Sequence, residues 1–117
     1  MNRIFAALLL VFIAGSSTPG FAKNLSSSKL FGRWCGAATS YIFTRERLTV
    51  VWNADGRRRS FVIVKYVPGP EYIDVQWVRD DLPQNTVFSK FSRDGRSMAQ
   101  LANTHGDMGP ERPFRRC

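Results

Sequence analysis

Arginine is the side chain through which this sequence has most chemistry to offer. Thirteen arginines stand against four lysines. The planar guanidinium fork binds carboxylates and phosphates bidentately, where an ammonium acts as a hydrated point charge. Arg57-Arg58-Arg59 follows the turn Asn53-Ala54-Asp55-Gly56, and Arg93 and Arg96 bracket Asp94-Gly95. Arg45 and Arg47 lead into an apolar stretch, and Arg112, Arg115 and Arg116 crowd the end of the chain. The chemistry expected of Arg57, Arg58, Arg59, Arg93 and Arg96 is recognition of an anion or an acidic protein surface, against the plainer alternative of a solvated, arginine-biased exterior.

Residues for catalysis are scarce. His105 is the only histidine, it sits in a Gly-rich segment, and no Gly-x-Ser-x-Gly elbow accompanies it, so nucleophilic catalysis is not expected. His105, Asp107 and Met108 could offer one copper cluster, but a metal site needs several ligands at known spacing, and a solvated loop is the simpler reading. Asp80 and Asp81 are adjacent and point apart, and Asp74 falls on the polar face of a strand. The expectation is a protein that is not an enzyme and uses no cofactor and no metal. Trp34, Trp52 and Trp77 with Tyr41, Tyr66 and Tyr72 either line a ligand cavity or fill a core and its rim; a small barrel packed with side chains favours the second.

The compartment decides which anions are available. Met1-Asn2-Arg3 followed by an apolar run of about eleven residues from Ile4 to Ala14 is the length of an export signal, not of a bilayer span. Helix-breaking residues follow, and Gly20 and Ala22 are small enough for a signal peptidase, which places cleavage after Ala22. Removing residues 1–22 deletes one arginine and no acid, leaving one domain of 95 residues with a net charge of +7. Export to a bacterial periplasm or beyond separates that charge from nucleic acid. It leaves an anionic envelope component or an acidic protein as partner, with no transmembrane segment in the processed chain, which is expected to be a monomer.

In an exported chain the two cysteines, Cys35 and Cys117, are most simply one disulfide. It would close a loop worth roughly 4 kcal/mol by chain-entropy arithmetic. A domain this small, part of whose apolar content leaves with the signal, profits from such a staple.

The elements that position these residues follow period two. Tyr41-Ile42-Phe43, then Leu48, Val50 and Trp52, then Phe61 to Val64 within 60–66, then Ile73, Val75 and Trp77, then 86–92, and finally Met98 to Leu101 read as strands. The turns at 53–56 and 92–95 place Asp and then Gly where a left-handed residue is needed, which marks hairpin tips; the shared Asp-Gly-Arg is turn chemistry, not a duplication. The stretches 67–70 and 81–85 read as looser connections because proline cannot donate to a ladder, and 104–117 reads as an ordered loop tied down by Cys117. Ser28 to Phe31 makes a short helical turn. The fold class is all-β: a small antiparallel meander of about six to seven strands, forming a barrel or strongly curved sheet with one disulfide.

Gly32-Arg33-Trp34, between that turn and the first strand, resembles the Gly-x-Trp opening of lipocalin-like (calycin) barrels. It is also similar to the opening of small exported bacterial barrels that inhibit proteases and carry one disulfide. The resemblance implies an up-and-down barrel in which Gly32 and Trp34 are structural, with Trp34 closing one end beneath a late arginine, Arg112 or Arg115. The function expected is non-catalytic binding through the arginine-rich surface; the alternative is an inhibitor of a hydrolase or a lipocalin-like carrier of a small ligand.

Overall fold

Strand-forming segments and turn signals alternate so regularly from Gly32 onward that each strand's nearest partner in space is its neighbour in sequence. The computed structural model describes residues 23–103 and 111–117. Residues 1–22, expected to be an export signal, lie outside the described residues, and so do His105, Asp107 and Met108. A 3-10 turn at Ser27–Leu30 precedes β1 (Gly32–Cys35), β2 (Thr39–Phe43), β3 (Arg47–Trp52), β4 (Arg58–Pro68), β5 (Tyr72–Arg79), β6 (Leu82–Ser89), β7 (Ser97–Asn103) and β8 (Arg112–Arg116). Every neighbouring pair is antiparallel, and β8 returns to pair with β1, closing the barrel. Register shifts that leave Val64 of β4 and Leu101 of β7 without an opposite residue are the irregularities that let a sheet bend into closure.

Eight strands replace the six to seven expected. A closed up-and-down ring needs an even number, because with seven the first and last strands would run parallel. The additional strands are β1, formed by the Gly32-Arg33-Trp34 stretch expected to precede the first strand, and β8, in the stretch 104–117 expected to be a loop. The proline of β8 is tolerated because β8 meets β1 only at Arg115 and Arg116, so Pro113 has no partner there to disappoint. Pro83 likewise stands inside β6, where a loose connection was expected, and the ladder from β6 to β7 begins only at Thr86. The link from β5 to β6 is a tight two-residue hairpin, with Asp80 and Asp81 at φ 50° and 66°, the left-handed pair such turns require.

Both Asp-Gly tips form as expected. Gly56 and Gly95 have φ 73° and 72°. The carboxylates of Asp55 and Asp94 accept the backbone N–H of Arg57 and Arg96 at 3.0 and 3.1 Å. Asp94 also accepts the Ser92 hydroxyl at 2.7 Å, and that bond, then the backbone one, holds its carboxyl below the ordinary range.

Side chains two apart share a face, and the inward set is apolar at one end of the barrel. Leu30, Trp34, Phe43, Ile73, Val75 and Phe88 are its largest fully buried members. Trp34 plugs that end: its Nε1–H donates to the Leu30 carbonyl at 2.9 Å. The Arg116 guanidinium lies over the indole at 3.9 Å from the ring centroid. Arg116 in turn donates to the carbonyls of Phe31 and Lys29 at 2.6 and 2.8 Å. A late arginine does cover Trp34, but it is Arg116 in place of Arg112 or Arg115. Arg115 faces outward, and Arg112 faces inward at the opposite end of β8.

Gly32 makes room for this latch. At φ 108°, a Cβ there would stand 2.7 Å from Arg116 Nη1. Gly32→Ala is therefore expected to cost about 1–3 kcal/mol from backbone strain, read as a lower urea midpoint at unchanged slope. An unaltered midpoint would mean that the backbone carries no strain at this φ and that the guanidinium has room to move aside.

Candidate functional site

In an up-and-down barrel the connections alternate between ends. The links β2–β3, β4–β5 and β6–β7 share the end closed by the 3-10 turn, Trp34 and Arg116. The links β1–β2, β3–β4 and β5–β6 share the other, and there the inward positions change character. Arg59 stands two residues before buried Phe61, Arg79 two after Trp77, and Arg112 two before buried Phe114. Period two thus turns all three arginines into the barrel from β4, β5 and β8.

They border a cavity of about 260 Å³. Tyr41, Leu48 and Phe88 lie at its floor, Trp52, Phe61 and Trp77 form its walls, and Val50, Thr39 and Thr86 complete the lining. An eight-stranded barrel has an interior of the size that side chains fill or one small ligand occupies. Below the floor the space is filled, since Phe43 and Phe88 pack edge-to-face at 5.3 Å between centroids.

The polar groups of the cavity hold its aromatic rings in place. Trp77 Nε1–H donates to Thr86 Oγ1 at 3.0 Å, and Phe61 meets Trp77 at 4.9 Å between centroids. The Tyr41 hydroxyl donates to Gln100 Oε1 at 2.7 Å. Burial raises the pKa of Tyr41, opposed by hydrogen bonding with Thr39 and then by the positive charge of Arg112.

Asp80, in the hairpin between β5 and β6, is the counter-ion at the rim. It receives Arg59 Nη2 at 2.6 Å and stands 3.9 Å from Arg79 Nε. The side chains of Arg59 and Asp80 remain 45% and 64% exposed, so solvent screens the pair to at most about 1 kcal/mol. One carboxylate serves two of the three arginines weakly.

The five arginines singled out from sequence do not converge. Arg57, Arg58 and Arg59 are at the open end; Arg93 and Arg96, in the link between β6 and β7, are at the other. Only Arg59 reaches the cavity, where its guanidinium lies over Phe61 at 4.9 Å. Arg57 sits over Trp52 at 4.9 Å, just outside, and Arg58 faces outward. Sequence reasoning missed Arg79 altogether and gave Arg112 a different role. The signal that marks both was the alternation itself: each is two residues from an aromatic of the inward face. Among the six aromatics whose role was open, Tyr41, Trp52 and Trp77 line the cavity. Trp34 plugs the closed end, Tyr66 donates to the Thr44 carbonyl at 2.6 Å, and Tyr72 is exposed.

Among the described residues no group of three or more His, Cys, Asp or Glu is placed to hold a metal ion, and no helix is long and apolar enough to cross a membrane. Compared with known proteins, the chain matches no family model, no curated protein and no solved structure.

Proposed function

We propose that this protein is an exported, non-catalytic binding protein of the bacterial periplasm that takes an anionic ligand into the open end of its barrel. The observation that carries the reading is the convergence of Arg59, Arg79 and Arg112 on one cavity. Three cations gathered at a concave mouth raise the local potential and attract an anion, and Asp80 offsets that only in part. The disulfide between Cys35 and Cys117 supports an oxidising compartment, in keeping with the export signal read in residues 1–22. The stack of Trp34 under Arg116 supports the likeness to calycin barrels. The anion site is thus narrower than a basic surface: Arg59 belongs to it, Arg57 flanks it, and Arg93 and Arg96 have no part in it.

The test uses 8-anilinonaphthalene-1-sulfonate as a fluorescent anionic probe on the processed, oxidised protein. Binding is expected to weaken as salt rises, because an exposed rim is screened. Arg112→Gln should weaken it about tenfold, as expected for loss of one charge-assisted contact. Asp80→Asn should strengthen it about fivefold, as expected for removal of an exposed competing charge. Arg93→Gln with Arg96→Gln should leave it unchanged. If salt has no effect, or the Arg93 and Arg96 pair matters as much as Arg112, the assignment of the site to the cavity mouth is wrong.

A further inference from the structure

The lining of the cavity, below its arginine rim, goes further than charge and specifies what the anion is attached to. We infer that the ligand is a small aromatic carboxylate, its ring system seated between Trp52, Phe61 and Trp77 and its carboxylate held at the rim by Arg59, Arg79 and Arg112. This rests on the proposed reading of the mouth as an anion site and narrows it to one chemical class.

Size sets the first bound. At roughly 30 Å³ of liquid volume per water molecule, a cavity of about 260 Å³ holds about nine waters. A ring system of about ten carbons fits; a long acyl chain does not, because fully buried Phe88 and the residues packed beneath it stop the descent.

Polarity sets the second. The side chains lining the cavity below the rim are aromatic or aliphatic apart from Thr39 and Thr86 and the Tyr41 hydroxyl, and all three already have partners, Thr39 on Tyr41 itself. Thr86 accepts from Trp77, and the Tyr41 hydroxyl is spent on Gln100. A sugar acid would bring several hydroxyls into a place with almost nothing to answer them, each carrying a desolvation cost. Anionic polysaccharide therefore fits the rim and not the interior.

Shape sets the third. Phe61 and Trp77 meet at an interplanar angle of 58°, so together they offer both a face and an edge to an incoming ring, the two arrangements aromatic pairs prefer. The indole of Trp77 is fixed by its bond to Thr86, so little ordering remains when a ligand enters. A rigid planar ligand also surrenders fewer rotors than an alkyl chain of equal carbon count. At the rim, the guanidinium forks suit a carboxylate, which takes two parallel N–H bonds from one fork.

The experiment follows tryptophan fluorescence of the processed, oxidised protein, since Trp52 and Trp77 border the site, with isothermal titration as a second readout. The ligands are naphthalene-2-carboxylate, its neutral carboxamide, decanoate, galacturonate and inorganic phosphate. Naphthalene-2-carboxylate is expected to quench saturably at one site per chain. The carboxamide and decanoate should each bind at least tenfold more weakly, and galacturonate and phosphate should not saturate in the same range. Trp77→Leu, judged folded by its unfolding curve, should weaken naphthalene-2-carboxylate about tenfold and leave the salt dependence of the remaining affinity unchanged. Equal binding of decanoate, galacturonate or phosphate, each lost in Arg112→Gln, overturns the aromatic class and leaves the anion site standing. Equal binding of the carboxamide overturns the anion site, and this inference with it. Absence of binding by all five ligands, in a protein that still binds the sulfonate probe dependently on Arg112, overturns the carboxylate assignment alone.

Discussion

Trp34→Ala is expected to cost about 3–5 kcal/mol, the range for deleting a large aromatic from a packed core, out of a total of order 5–15 kcal/mol for a domain. The loss has three separable parts. Trp34 has no exposed surface, so its removal leaves a void beneath the 3-10 turn. The Leu30 carbonyl loses its donor at 2.9 Å. Arg116 loses the ring face 3.9 Å below it, and that guanidinium ties the carbonyls of Lys29 and Phe31 to β8. Trp34→Phe keeps a ring and drops the N–H, and should recover more than half of the loss. Arg116→Lys keeps the charge and discards the planar fork, which cannot be replaced at a stacked, multiply bonded site; a loss of about 1–3 kcal/mol is expected from the unanswered carbonyls. Urea unfolding of the oxidised variants measures all three. A Trp34→Ala protein within 1 kcal/mol of the parent would show that the plug is filler rather than the keystone of the closed end.

The same residues show how far sequence reaches. Strands β2 to β7 are legible because apolar residues recur at every second position over part of each, as in Leu48, Val50 and Trp52 or Ile73, Val75 and Trp77. The Asp-Gly tips are legible because only a few residue types adopt their backbone, and the pairing of Cys35 with Cys117 follows from there being two cysteines. β8 was hidden by Pro113 and by three arginines on a five-residue strand. Its alternation of Arg112, Phe114 and Arg116 holds a single apolar residue, too few for period two to mark a strand by itself. That also explains why the latch was assigned to the wrong arginine: charge density at the chain end was readable, facing was not. The candidate site was less legible still. Arg59, Arg79 and Arg112 are separated by 20 and 33 positions in the sequence, and they meet only because strands β4, β5 and β8 present their inward faces at one end of a closed ring. Convergence belongs to closure, and no local pattern announces it.

Closure is also where the second large effect is expected. β1 and β8 pair at two positions only, Trp34 with Arg116 and Cys35 with Arg115, whereas β5 and β6 pair along their whole length from Tyr72 with Ser89 to Arg79 with Leu82. The seam of the barrel is therefore its shortest ladder, and the disulfide between Cys35 and Cys117, Cα atoms 5.2 Å apart, bridges residues 82 positions apart across it. Cross-linking a loop of that length removes about 4 kcal/mol of denatured-state entropy, so Cys35→Ser with Cys117→Ser should lower stability by about that amount. The consequence extends beyond global stability, because β8 carries both Arg116, which latches the closed end, and Arg112, which completes the rim of the open end. Without the covalent tie, opening of the seam should expose the amides of β8 to hydrogen exchange well before those of β5 and β6. Binding of the anionic probe should weaken by about as much as in Arg112→Gln, under conditions where the rest of the barrel stays folded. A double-serine protein in which β8 is protected as well as β5 would show that Arg116 and the two-position ladder hold the seam unaided, and that the disulfide acts on the unfolded chain alone.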